Sequence, residues 1–238
     1  MKMKMATAAL LPVTVATLLA SAPTRAAPVN WSGFAISAGV GGSFGATTGQ
    51  NVTATSFFFL GRPDPVGEIG SLGLSWNYQF SNGLVLGAVG DFGLLSGSDT
   101  LANPAAGWSL KVRNDWLATL RGKFGYAMGP ALFYATGGLA WARTDATFIP
   151  TTPGIFFPFP FPFLGATTTV TRSAVVPGWT LGAGADLALA QHISFEAEYL
   201  YVHVNSLSFA IPQLFMPPGH AQFAEDMSVF RLGINYRF

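Results

Sequence analysis

The sequence predicts an all-β fold: an eight-stranded antiparallel up-and-down β-barrel that crosses a membrane, with short turns at one end and four long surface loops at the other. Three observations predict it. Apolar and small or polar residues alternate with a period of two in eight separate segments, as strands with two different surroundings do. The aromatic residues of those segments share one parity and gather near the segment ends. Tight turns and long connections alternate along the chain.

Composition fits a chain that is apolar overall without being apolar for long. Of its 238 residues half are hydrophobic and only 10% are charged, and mean hydropathy is positive. Beyond the N-terminal segment, no stretch reaches the ~20 residues of a spanning helix without Gly, Pro or polar interruptions. Residues 1–26 have the layout of a secretory signal: Lys2 and Lys4, the mostly apolar run Ala6 to Ala20, then small residues. Ala20-Ser21-Ala22 fits a small-x-small cleavage pattern, but Pro23 would follow the cut, so cleavage near Ala26 or Ala27 is expected. The barrel domain is then residues 27–238. Removing Lys2, Lys4 and Arg25 from 12 Lys+Arg leaves 9 against 11 Asp+Glu, a net charge of −2. That balance implies neither nucleic acid nor an anionic surface as a partner. With no cysteine in an exported chain, disulfides contribute nothing.

The strands follow in order. In the first, Phe34, Ile36, Ala38 and Val40 oppose Ala35, Ser37, Gly39 and Gly41. In the second, Leu72, Leu74, Trp76, Tyr78 and Phe80 oppose Gly73, Ser75, Asn77 and Gln79. In the third, Leu84, Leu86, Ala88 and Phe92 oppose Val85, Gly87, Val89 and Asp91. The fourth sets Trp116, Ala118, Leu120, Phe124 and Tyr126 against Thr119, Arg121, Lys123 and Gly125. The fifth sets Phe133, Ala135, Leu139 and Trp141 against Tyr134, Thr136, Gly138 and Ala140. The sixth sets Trp179, Leu181, Ala183 and Leu187 against Thr180, Gly182, Gly184 and Asp186. The seventh sets Phe195, Ala197, Tyr199 and Tyr201 against Glu196, Glu198 and Leu200. The last is the cleanest: Phe230, Leu232, Ile234, Tyr236 and Phe238 oppose Val229, Arg231, Gly233, Asn235 and Arg237.

Asn82-Gly83, Gly129-Pro130 and Gln191-His192 are the tight connections. The long ones are expected over about Ala46 to Ile69, Gly93 to Trp108, Ala142 to Val176 and His203 to Glu225. In barrels of this kind the short turns are periplasmic, so both termini are expected in the periplasm and the loops outside the cell. A closed meander leaves no strand edge unpaired in lipid.

The second face of these strands is mostly Gly, Ala, Ser and Thr with a few charges. It is too small and too sparsely polar for a solvated exterior, and it suits a narrow lumen. The aromatic face therefore meets lipid. Phe34, Tyr78, Phe80, Tyr126 and Tyr236 belong to a belt at the turn end, and Trp116, Trp141, Trp179 and Tyr201 to a belt towards the loops.

Several blocks resemble one family. These are Asn30-Trp31-Ser32-Gly33-Phe34, Trp116 to Tyr126, Tyr134 to Trp141, Ala197 to Tyr201, and Leu232 to Phe238. Together they look like the signature blocks of alphaproteobacterial outer-membrane β-barrel, or porin-family, proteins, whose fold is similar to the OmpA membrane domain. Two departures are Ala35-Ile36-Ser37, where relatives carry a further aromatic, and the Phe/Pro-rich stretch 155–164. The resemblance implies a Gram-negative outer-membrane location at the cell surface. It also implies that the terminal Phe238 is an assembly signal read by the barrel-assembly machinery. It says little about activity.

Eight charges face inward: Asp91, Arg121, Lys123, Asp186, Glu196, Glu198, Arg231 and Arg237. Asp91 is expected beside Arg121 and Lys123, and Glu196 and Glu198 beside Arg231 and Arg237. They read as an ion-pair plug, because an eight-stranded lumen is about wide enough for its own side chains. The competing reading is a charged constriction in a narrow channel for ions or small solutes. Catalysis by Glu196 and Glu198 is not expected, since neighbouring arginines hold both ionised. No cofactor and no metal centre is expected. A weaker reading places a haem or iron ligand on His203, Met216 and His220 near the outer mouth. The Phe/Pro-rich stretch reads either as a surface contact or as a lid over the mouth. Expected partners are outer-membrane lipid and lipopolysaccharide; the barrel is expected to be monomeric, and its role to be structural or in surface contact.

Overall fold

The computed structural model describes residues 29–52, 65–103, 108–150, 169–211 and 219–238. The expected export signal, the Phe/Pro-rich stretch 155–164 and Met216 lie outside the described residues. The strands are β1 (Gly33–Val52), β2 (Val66–Gln79), β3 (Leu84–Leu95), β4 (Ser98–Asn103), β5 (Trp108–Met128), β6 (Ala131–Pro150), β7 (Val170–Ala188), β8 (Ile193–Ile211) and β9 (Gly219–Arg237). All pairings are antiparallel, and β1 pairs with both β2 and β9, which closes the sheet. β3 and β4 are two halves of one stave. Both lie on β5, through Leu94 opposite Trp116 and Ser98 opposite Arg113, with the break at Ser96 and Gly97. The barrel therefore has eight staves.

Three tight connections share one end. At Asn82-Gly83, Gly83 has φ +87° and donates its N–H to the Phe80 carbonyl, a conformation an L side chain resists. Gly129 has φ +61° before Pro130. The turn at residues 189–192 is closed by the N–H of Leu189 donating to the Ile193 carbonyl.

The barrel wall is sided as its alternation requires. Phe34, Leu72, Trp76, Leu120, Phe124, Leu139, Leu181, Tyr199, Phe230 and Ile234 are exposed on the outside, while Asn77, Thr119, Arg121, Thr136, Thr180, Glu198 and Arg231 are buried inside. The strands run further than the alternation suggested. β1, β6, β8 and β9 continue through much of what the sequence assigns to loops, and β4 lies inside the second long connection. Beyond the lipid band a paired strand keeps its hydrogen bonds but loses the apolar neighbour that imposes alternation, so these extensions read as irregular.

The lumen is stacked in layers. At the turn end Trp31, Val85, Leu132 and Tyr134 pack together. Charged side chains cross the middle. On the loop side Ile69, Leu95, Leu117, Val176, Leu200, Val202, Met227 and Val229 form a second apolar layer. The interior is thus more apolar than its sequence suggested. The inward positions nearest the loops carry Leu, Val and Met, whereas the Gly- and Thr-rich positions lie lower.

Candidate functional site

The centre of the lumen is a four-member ion cluster. Arg121 on β5 lies 2.6 Å from Asp91 on β3 and 2.6 Å from Glu198 on β8. Arg231 on β9 lies 3.1 Å from Asp91 and 2.5 Å from Glu198. Each arginine touches both carboxylates, and each carboxylate touches both arginines. Arg121 also donates from Nε to Thr119 Oγ1 at 2.9 Å and from Nη1 to Thr136 Oγ1 at 2.9 Å, while Thr119 donates to Asp91 at 2.8 Å. Going round the barrel, β3 and β5 are separated from β8 and β9 by two strands on either side. The pairs Arg121–Glu198 and Arg231–Asp91 therefore span the bore. All four side chains are at most 7% exposed. Charges removed from water this far persist only when each meets an opposite charge with good geometry.

The other inward charges are placed differently from each other. Glu196 lies 3.8 Å from Arg231 at the edge of the cluster. Lys123 does not reach Asp91; it lies 3.5 Å from Asp186 on β7 and 3.8 Å above the centre of the Tyr134 ring. Asn235 donates to the same Asp186 at 3.4 Å. Arg237 does not join Glu196 or Glu198. Its guanidinium sits 4.2 Å over the Trp31 ring and donates to the carbonyls of Asn30 and Gln191. Pairing neighbours strand by strand misplaces Lys123 and Arg237, because in so narrow a lumen a long side chain reaches across as readily as sideways.

Trp31 is the residue that sequence reasoning passed over. It is 1% exposed and stops the turn end of the lumen. Its backbone N–H donates to Gln79 Oε1 at 2.8 Å, and Ser32 Oγ accepts the backbone N–H of Gln79 at 2.9 Å, which ties the segment before β1 to the end of β2. The available signal was parity: Trp31 stands two residues before Gly33, in the inward series of β1.

The two aromatic belts are on the outer wall. At the turn end Tyr78 meets Phe80 edge-on at 4.9 Å and Tyr236 meets Phe238 at 5.4 Å, while Phe34 and Tyr126 are exposed beside them. Towards the loops Trp116 packs on Phe92 at 5.6 Å and Trp179 on Tyr201 at 5.5 Å, and Trp141 is half-buried on the same wall. Phe238 is 70% exposed, and its N–H donates to the Phe34 carbonyl. His203 lies on this outer wall rather than in the mouth. It stacks on Trp179 at 5.5 Å, and its Nδ1 is 2.6 Å from Asp226. The side chains of Met216 and His220 lie outside the described residues, so of the three expected haem or iron ligands only His203 is placed.

On the loop side of the second belt, Arg113, Asp115, Arg143 and Asp145 form a network on the outside of β5 and β6. A hydrogen bond from the Ser173 hydroxyl, together with the charges of Arg143 and Arg113, holds the Asp145 carboxyl below the usual carboxylate range.

Comparison with known proteins agrees with this architecture. A family described as outer membrane protein beta-barrel domain matches residues 13–238. The 31 kDa outer-membrane immunogenic protein of Brucella melitensis biotype 1 is 29% identical, over 92% of this chain and 89% of its own length. The 22 kDa outer membrane protein of Rhizobium leguminosarum bv. viciae is 24% identical, over 71% of this chain and 65% of its own. Among solved structures, the outer membrane protein OprG of Pseudomonas aeruginosa has a TM-score of 0.50 at 14% identity, covering 89% of this chain and 98% of that one; this is a likeness of fold. The chain belongs to the outer-membrane β-barrel family represented by these alphaproteobacterial relatives, and it is an integral outer-membrane β-barrel protein.

Proposed function

We propose that this barrel is a closed, non-enzymatic structural element of the outer membrane that makes contacts at the cell surface and passes no solute. Its turn end and both termini face the periplasm, and its extended strands and loops face outward. The observation that carries this reading is the bridged lumen. Arg121 and Arg231 join Asp91 to Glu198 across the bore, with an apolar layer above them and Trp31 below. A permeant ion would have to part those pairs and then pass a dry layer, where it has no replacement for its hydration shell. The surface role draws support from the Brucella relative, which is named for being immunogenic. Phe238, exposed at the outer edge of the closing seam between β1 and β9, is the residue we assign to recognition by the assembly machinery.

Planar-bilayer recording tests the closed lumen. The purified protein is expected to give no steady steps. Steps of uniform size that change when Arg121 or Glu198 is neutralised would establish a channel and overturn this reading.

A further inference from the structure

The outer wall of β5 and β6 carries a charged network where a barrel wall is usually apolar, and a bulge puts it there. The register between β5 and β6 shifts between Asn114 and Trp116, leaving Asp115 as the extra residue. Below the bulge, even-numbered residues of β5 face out, as Leu120, Phe124 and Tyr126 do. Above it the parity inverts. Arg113 and Lys111 are exposed, while Asn114 is buried and accepts a hydrogen bond from Thr144 at 2.9 Å. Without the extra residue, Arg113 and Lys111 would face the interior. A bulge re-aims side chains in this way.

The network is organised around two guanidinium groups. Arg113 Nη2 lies 2.8 Å from Asp115 and 3.5 Å from Asp145; Arg143 Nε lies 3.5 Å from Asp115 and 3.7 Å from Asp145. The contacts to the two aspartates run through Nη2 of Arg113 and Nε of Arg143, at the inner edge of side chains that are otherwise open to the outside. These arginine side chains are 52% and 44% exposed. Two arginines and Lys111 against two aspartates leave one net positive charge. Trp116 pairs directly with Arg143 across the strands, so the network sits on the loop-side aromatic belt, at the depth of lipid headgroups.

We propose that Arg113 and Arg143, with Lys111 beside them, bind the phosphate groups of a phosphorylated, multiply acylated glycolipid of the outer leaflet, the lipid anchor of lipopolysaccharide. Forked donors held side by side suit a ligand with several anionic oxygens. The lipid's acyl chains then lie down the apolar wall below Trp116 and Trp141. The assignment rests on the orientation proposed above, with this end of the barrel at the cell surface.

The experiment uses the full-length mature protein in detergent, probed by native mass spectrometry with lipid A carrying two phosphates or none. Binding of the phosphorylated form is expected to exceed that of the phosphate-free form by about tenfold or more, as two charge-assisted contacts imply. The double variant Arg113→Gln/Arg143→Gln should lose that preference. Arg113→Lys/Arg143→Lys should keep part of it, and Asp226→Asn on another face at similar height should keep all of it. A heat-induced gel shift verifies that each variant is folded. Equal binding of the two lipids, an unchanged double variant, or displacement by inorganic phosphate at matched concentration would overturn the proposal. Orientation is read separately, since the chain has no cysteine. Lys111→Cys should react with an impermeant maleimide on intact cells. Reaction only after the cells are broken open would overturn the orientation, and the lipid assignment with it.

Discussion

Replacing Arg121 with methionine removes half of the positive charge at the centre of the lumen and leaves a side chain of similar length. Asp91 and Glu198 each lose a contact of 2.6 Å, and both must then share Arg231. Glu196, already 3.8 Å from Arg231, adds a third carboxylate to that one guanidinium. Thr119 and Thr136 lose their donor as well. Removing one partner of a buried ion pair costs about 3–5 kcal/mol, because the opposite charge is stranded away from water. Arg121 is fully buried with two such partners, so the upper part of that range is expected; it corresponds to about three orders of magnitude or more in the folding equilibrium. Reversible urea unfolding in phospholipid vesicles, followed by tryptophan fluorescence, measures it. A companion variant in which Asp91, Arg121, Glu198 and Arg231 all become uncharged residues of similar volume should recover most of the loss, since no charge is then stranded. If Arg121→Met costs less than about 1 kcal/mol, the cluster behaves as a solvated surface pair. The lumen would then hold water, and the closed reading would fail with the energetic one.

Three further outcomes follow from the same geometry. Ile234→Lys, on the lipid face between Phe230 and Tyr236, should cost about 2–4 kcal/mol in the same assay; Asn235→Ser, which loses only a 3.4 Å contact to Asp186 inside, should cost about 1 kcal/mol. Trp31→Ala should cost about 3–5 kcal/mol and leave Arg237 without a ring to rest on, seen as a lower transition temperature in the heat-induced gel shift. Asp145 is held below its usual 3.8, so its contribution is present above about pH 4 and is lost as the pH falls through the lowered value. Asp145→Asn should remove that part of the acid limb in unfolding curves taken between pH 5 and pH 2.

Within the lipid band the sequence carries almost everything needed. Phe230, Leu232, Ile234 and Tyr236 face out and Val229, Arg231, Asn235 and Arg237 face in, because hydrocarbon on one side and a packed bore on the other leave no third choice. Three things could not be read there. The partner of Lys123 depends on reach across the bore, which strand-by-strand adjacency does not contain. The apolar layer of Leu117, Leu200, Val202 and Met227 sits on inward positions whose level in the barrel emerges only once the staves are in register. Trp31 continues the inward series of β1 but stands before the strand begins, and nothing in the sequence extends the alternation back to it.

The register shifts show where alternation stops being a reliable guide, and why. They lie between Thr48 and Gln50 on β1, between Asn114 and Trp116 on β5 and between Val204 and Leu207 on β8, and the break at Ser96 and Gly97 interrupts the stave of β3 and β4. On β5 and β8 the shift follows the loop-side belt residue, Trp116 or Tyr201, at once or within a few positions. A bulge leaves a backbone group without its ladder partner. In hydrocarbon that group has no water to turn to, and the cost of several kcal/mol forbids it. At headgroup depth it can be solvated. The membrane thus enforces an unbroken ladder inside the band and permits bulges above it. Because a bulge can invert parity, as the one on β5 does, polar residues can be moved from the inner face of a stave to the outer face only where headgroups wait for them. Arg113 and Lys111 are moved in this way on β5, whereas Arg121 and Lys123, below the bulge on the same strand, stay inside.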